Sequence, residues 1–103
     1  MITLHILIRV KPEAREELLE AARILFEELA RQPTFIDASL GTSEEEPDLI
    51  VISERWNESR ESFLRNILPN PCYQPYAAVL ERVGASREVH WTTERHAWRP
   101  ERR

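Results

Sequence analysis

Ile2-Thr3-Leu4-His5-Ile6-Leu7-Ile8-Arg9-Val10 places an apolar, mostly β-branched residue at every even position, against Thr, His, Leu and Arg at the odd ones. A repeat of two over this length is a strand with one buried face. Leu7 on the second face predicts a strand inside the sheet, partly covered on both sides. The period then changes. Lys11-Pro12-Glu13 opens a helix, with Pro12 suited to the first turn and Glu13, Glu16 and Glu17 near the positive end of the dipole. Ala14, Leu18, Ala21, Ala22, Leu25, Phe26 and Leu29 recur at three- and four-residue steps to about Arg31, and Pro33 closes the segment.

Phe35 to Thr42 reads as a second strand and Asp48 to Trp56 as a third, joined by the polar, hairpin-length Ser43-Glu44-Glu45-Glu46-Pro47. Leu49-Ile50-Val51-Ile52 is apolar on both faces and belongs in the middle of a sheet. Asn57 or Ser59 caps a helix running to about Leu68, which Pro69-Asn70-Pro71 breaks. Another helix starts near Cys72, with Tyr73, Tyr76, Ala77, Val79, Leu80 and Val83 as its apolar stripe and Gly84 as its C-terminal cap. Ser86 to about Arg95 alternates weakly and reads as the last strand. The order β-α-β-β-α-β predicts an α+β, ferredoxin-like split β-α-β domain with a four-stranded antiparallel sheet over residues 1–95, and a polar tail over 96–103.

The totals exclude several functions. Eighteen acidic against fourteen basic residues give a net charge of -4, the wrong sign for binding nucleic acid or an anionic membrane surface. An RNA-recognition module would carry aromatic residues on its central strands, yet the first strand has none and the third only Trp56. A regulatory amino-acid-binding domain needs tight glycine turns, and Gly41 and Gly84 are the only glycines. Cys72, the single cysteine, allows no intrachain disulfide and no Cys-based zinc cluster, so a reducing cytoplasm is the expected location. The first apolar run is far shorter than the roughly 20 residues of a membrane span and lacks the basic start of a signal peptide.

The opening Met1-Ile2-Thr3, the strand ending Arg9-Val10-Lys11-Pro12, Phe35 in the second strand and Glu54-Arg55-Trp56 at the end of the third carry a resemblance, together with the helix-break-helix containing Pro71 and Tyr73. In order and spacing the chain resembles the antibiotic biosynthesis monooxygenase family over nearly its whole length. The resemblance implies a dimeric α/β barrel, with two sheets face to face, helices outside and a pocket between sheet and helices in each subunit. It implies a cofactor-independent monooxygenase acting with dioxygen on a small phenolic, quinol or polycyclic aromatic substrate, and needing no metal. The alternative is a non-catalytic small-ligand-binding or accessory dimer of the same fold. In the oxygenating members an Asn stands four residues before the strand-end Trp; here that place is Ile52, and Trp56 is the pocket contact.

His5 stands mid-strand where hydrocarbon is expected, and a neutral imidazole facing a pocket accepts a phenolic proton near neutral pH, making His5 the candidate base. Tyr73 and Tyr76, one turn apart after the proline break, are candidate substrate contacts at the pocket mouth, with Phe63 and Ile52 also candidates; Phe63, Phe26 and Leu25 read equally as apolar wall or core. His90 and Glu88 share a face of the last strand, but no third ligand is evident for a metal. Cys72 has no assignable His or Asn partner and reads as an idle thiol. Finally, the even positions Ile2, Leu4, Ile6, Ile8 and Val10 make a continuous apolar face, expected at the centre of a homodimer interface, with the tail from Glu94 and Trp98 reaching across to the partner.

Overall fold

In a computed structural model of the chain, which describes residues 1–101, the first strand, β1, spans Ile2–Arg9. β2 (Phe35–Thr42), β3 (Leu49–Trp56) and β4 (Ser86–Thr92) complete an antiparallel sheet in the order β2-β3-β1-β4. β1 and β3, the strands with apolar residues on both faces, occupy the middle. Ile6 stands opposite Ile52 and Val89, and His5 opposite Ser53 and His90. The β2–β3 pairing slips by one residue between Phe35 and Asp37, which brings Asp37 opposite Arg55 and into two hydrogen bonds from its guanidinium.

The first helix begins later than its sequence pattern suggests. Pro12–Ala14 forms a 3₁₀ turn, closed by the Ala14 N–H on the Lys11 carbonyl, and α1 runs Arg15–Leu29. α2 (Arg60–Asn66) starts at Ser59 in a reciprocal cap, the hydroxyl oxygen of each of Ser59 and Ser62 accepting from the other's backbone N–H. α3 (Tyr73–Arg82) ends just before Gly84, whose φ of 66° is the left-handed conformation that a helix stop favours. No helix among the described residues is long and apolar enough to cross a membrane.

All three helices lie over one face of the sheet, and this corrects the expectation for the even positions of β1. Ile2, Leu4, Ile8 and Val10 are buried inside the single chain with Leu18, Ala22, Leu25 and Leu29 of α1. An unbroken apolar face is the one a chain's own helices cover, since each fully buried Leu or Ile contributes about 1.5–3 kcal/mol. The even face is therefore core, not an interface between copies. The odd face, with Thr3, His5, Leu7, Val51, Ser53 and Arg55, has no helix over it, and these six are only partly buried. β4 stops at Thr92, three residues short of the expected Arg95, and no regular element follows up to residue 101. Arg102 and Arg103, the end of the tail, lie outside the described residues.

Candidate active site

Where the even face and the helices part, they leave a mostly apolar cavity of about 190 Å³. Leu4 and Ile6 of β1, Ile52 of β3 and Val89 of β4 form its sheet side, while Leu25 and Phe26 of α1 and Phe63 of α2 form much of the helix side. Tyr73 and Tyr76 enter from the start of α3, and Trp91 and Arg87 from β4. One carboxyl group joins this lining. The alternation Ile50-Ile52-Glu54-Trp56 continues the buried face of β3, so Glu54 points into the core and is only 2% exposed. It is the one buried charged residue among those described.

Glu54 is held from behind. The indole Nε1–H of Trp56 donates to Glu54 Oε1 at 2.9 Å. Trp56 is itself fully buried, wedged edge-on between Phe35 and Phe63 at ring separations of 5.1 and 5.4 Å, and Phe63 in turn meets Trp91 at 5.5 Å. The Arg60 guanidinium lies 5.0 Å over the Trp91 ring. This aromatic row fixes the indole, and the indole fixes the carboxyl. Burial pushes the Glu54 carboxyl from its ordinary 4.5 up to about 7, against the Trp56 hydrogen bond, which favours the anion. The group is thus divided between acid and base near neutrality, the range in which a general base is most effective. Burial also raises both tyrosines: Tyr73 strongly, and Tyr76 to about 12 despite the nearby Arg87 charge. Both are neutral hydroxyls at pH 7, fit to donate hydrogen bonds rather than to act as bases.

The residues singled out from sequence divide between the two sides of the sheet. Ile52, Phe63, Tyr73 and Tyr76 come together around the cavity. Trp56 stands behind the wall, in contact with Glu54 and not with the cavity itself. His5 is on the other face, beside Ser53, with Nδ1 and the Ser53 hydroxyl 3.2 Å apart. Its expected direction, into the pocket, is corrected: in β1 the even side chains face the helices, so an odd one cannot. Glu54 and Arg87 were missed. The signal for Glu54 was the unbroken alternation through Ile50, Ile52 and Trp56, which leaves a carboxyl in a buried row. Arg87 gave no comparable signal.

Elsewhere, His90 Nε2 meets a Glu88 carboxylate oxygen at 2.5 Å on the helix-free face, and His96 lies against Trp98. Among the described residues no three His, Cys, Asp or Glu side chains are grouped as metal ligands. The Cys72 thiol is pushed up by burial and by the Glu28 charge, away from the thiolate that reactivity requires.

The antibiotic biosynthesis monooxygenase family model matches residues 1–65. Solved structures share the fold across nearly the whole chain. SnoaB, a cofactor-independent oxygenase from Streptomyces nogalater, superimposes with a TM-score of 0.70 at 22% identity, covering 93% of this chain and 94% of that one. A Mycobacterium tuberculosis protein gives 0.80 at 18% identity over 93% and 96%. A conserved protein from Bacteroides thetaiotaomicron gives 0.79 at 21% over 88% and 94%. Among curated proteins none matches the chain.

Proposed function

The chain belongs to the antibiotic biosynthesis monooxygenase family, and on that premise we propose that it is a cofactor-independent monooxygenase for a small hydroxylated aromatic, with Glu54 as the catalytic base. The observation that carries this reading is a carboxyl group, pushed up to about 7 by burial, in a mostly apolar cavity. A phenol or quinol placed there gives its proton to Glu54, and the phenolate passes one electron to dioxygen. The resulting radical pair joins at a ring carbon bearing hydrogen, and Glu54 returns the proton to the peroxide. Loss of that ring C–H proton to the carboxylate then breaks the O–O bond. One oxygen atom stays as a new carbonyl and the other leaves as water, so ring C–H becomes C=O with no outside reductant. Tyr73 and Tyr76 donate hydrogen bonds to the developing oxyanions.

Size narrows the substrate. An apolar cavity of roughly 150 Å³ accepts benzene, and one of about 190 Å³ suits a single ring more readily than the polycyclic end of the range expected from sequence. The protein is further read as a homodimer through the helix-free face. Leu7 and Val51 stand at its centre, charges of both signs (Arg9, Arg55, Glu88) surround them, and Trp98, 86% exposed in the single chain, is available for a partner to cover. A domain of residues 1–95 with a tail that completes the dimer fits this reading. Ile52, where oxygenating relatives carry Asn, favours the second reading, a non-catalytic ligand-binding dimer.

Oxygen uptake with a panel of hydroquinones, naphthols and anthrones, in buffer containing a metal chelator, tests the proposal. Uptake with stoichiometric quinone formation is expected for at least one single-ring member. No uptake above buffer with any of them would remove the enzyme reading for this class and leave the binding dimer.

A further inference from the structure

We infer that the cavity selects aromatic substrates that carry an anionic group, and that Arg87 is the residue that receives it. This rests on the reading of the cavity as an aromatic-binding site. Arg87 sits on β4 opposite Ile8, on the helix side of the sheet, and lines the cavity. It also lines an open hollow beside α3 with Ala77, Leu80 and Glu81, so the guanidinium stands where the cavity meets solvent. Among the described residues, Arg87 is the one arginine lining the cavity, and no ion pair neutralises it, not even one with Glu81, whereas Arg9, Arg15, Arg23, Arg55 and Arg82 are each engaged by a carboxylate.

At the mouth of a mostly apolar slot, in a chain of net charge -4, the Arg87 guanidinium has the Tyr76 hydroxyl beside it but no carboxylate to neutralise its charge. Arg recognises a carboxylate through two parallel N–H···O bonds, which fixes orientation as well as adding affinity. The charge is felt inside the cavity, since it lowers the Tyr76 hydroxyl that burial raises. The site therefore has a base on β3, a cation on β4 and hydrocarbon between them. A ring with a hydroxyl at one side and a carboxylate at the other satisfies all three, and Arg87 would set the hydroxyl against Glu54.

Hydroquinone and 2,5-dihydroxybenzoate share a ring and both hydroxyls and differ by one carboxylate, so their dissociation constants, read by tryptophan fluorescence quenching, isolate the Arg87 contribution. The wild type is expected to bind the acid at least about tenfold more tightly. Arg87→Gln should abolish that advantage, bringing the two dissociation constants together, while a circular dichroism spectrum matching the wild type's shows that the variant is folded. Arg87→Lys should keep part of it. Equal affinity for both compounds in the wild type, or an advantage that survives Arg87→Gln, would overturn the inference while sparing the aromatic site. Binding of neither compound would overturn both. Arg87-dependent binding of the acid without oxygen uptake would uphold the role of Arg87 and defeat the oxygenase reading alone.

Discussion

Burial makes the folded chain hold the Glu54 proton more tightly than the unfolded chain does, raising the group from 4.5 to about 7. A group raised in this direction contributes stability that is full below about pH 4.5 and lost as pH rises through about 7. At about 1.4 kcal/mol per pH unit the loss is on the order of 3 kcal/mol. Glu54→Gln keeps an acceptor for the Trp56 indole but has no proton to lose. Urea unfolding should therefore show the variant more stable than wild type at pH 8, with the difference shrinking towards pH 5; a gap independent of pH would contradict the burial of an ionisable carboxyl. Trp56→Phe removes the N–H that favours the anion. The rising limb of the pH–rate profile should move to higher pH in that variant, and an unmoved limb would mean that the indole does not tune the base.

The reciprocal serine cap of α2 sets where Phe63 enters the aromatic row, so Ser59→Ala should cost about 1 kcal/mol in thermal or urea unfolding. No measurable loss would show the cap to be redundant. Every strand and helix was legible in the sequence, because the period changes from two to 3.6 near Pro12 and Ser59 and back near Pro33 and Gly84, while Pro69–Pro71 separates two helices. Element ends were less so: Pro12 lacks an N–H and fixes its own φ, which begins a tight turn as readily as a helix. Which face of the sheet the helices cover was misread. Leu7 and Val51 are as apolar as Ile6 and Ile52, so alternation alone does not say which row the helices take. The decisive difference is that the even row of β1 is unbroken while the odd row contains Thr3, His5 and Arg9. Four of the candidate site residues were found through their apolar or aromatic character, whereas the proposed base, Glu54, was hidden in a strand-end Glu-Arg-Trp that reads as ordinary strand termination.

On the scale of the whole molecule, the proposed reading gives the two sides of the sheet different tasks: a cavity under the helices for chemistry, and a helix-free face for a second copy. Leu7→Glu puts a charge at the centre of that free face without touching the cavity. Light scattering should find it shifted towards monomer relative to wild type, with its affinity for a small phenol kept; an unchanged mass for both proteins would place the contact elsewhere. The proposal puts the chemistry beside Glu54 and not beside His5, and oxygen uptake by Glu54→Gln and His5→Ala, measured side by side with the best substrate of the panel, tests it most directly. Glu54→Gln should lose at least about 100-fold in turnover, the scale of a general base, while His5→Ala should stay within about threefold of wild type, as a side chain outside the cavity does. Turnover kept in Glu54→Gln and lost in His5→Ala would contradict it.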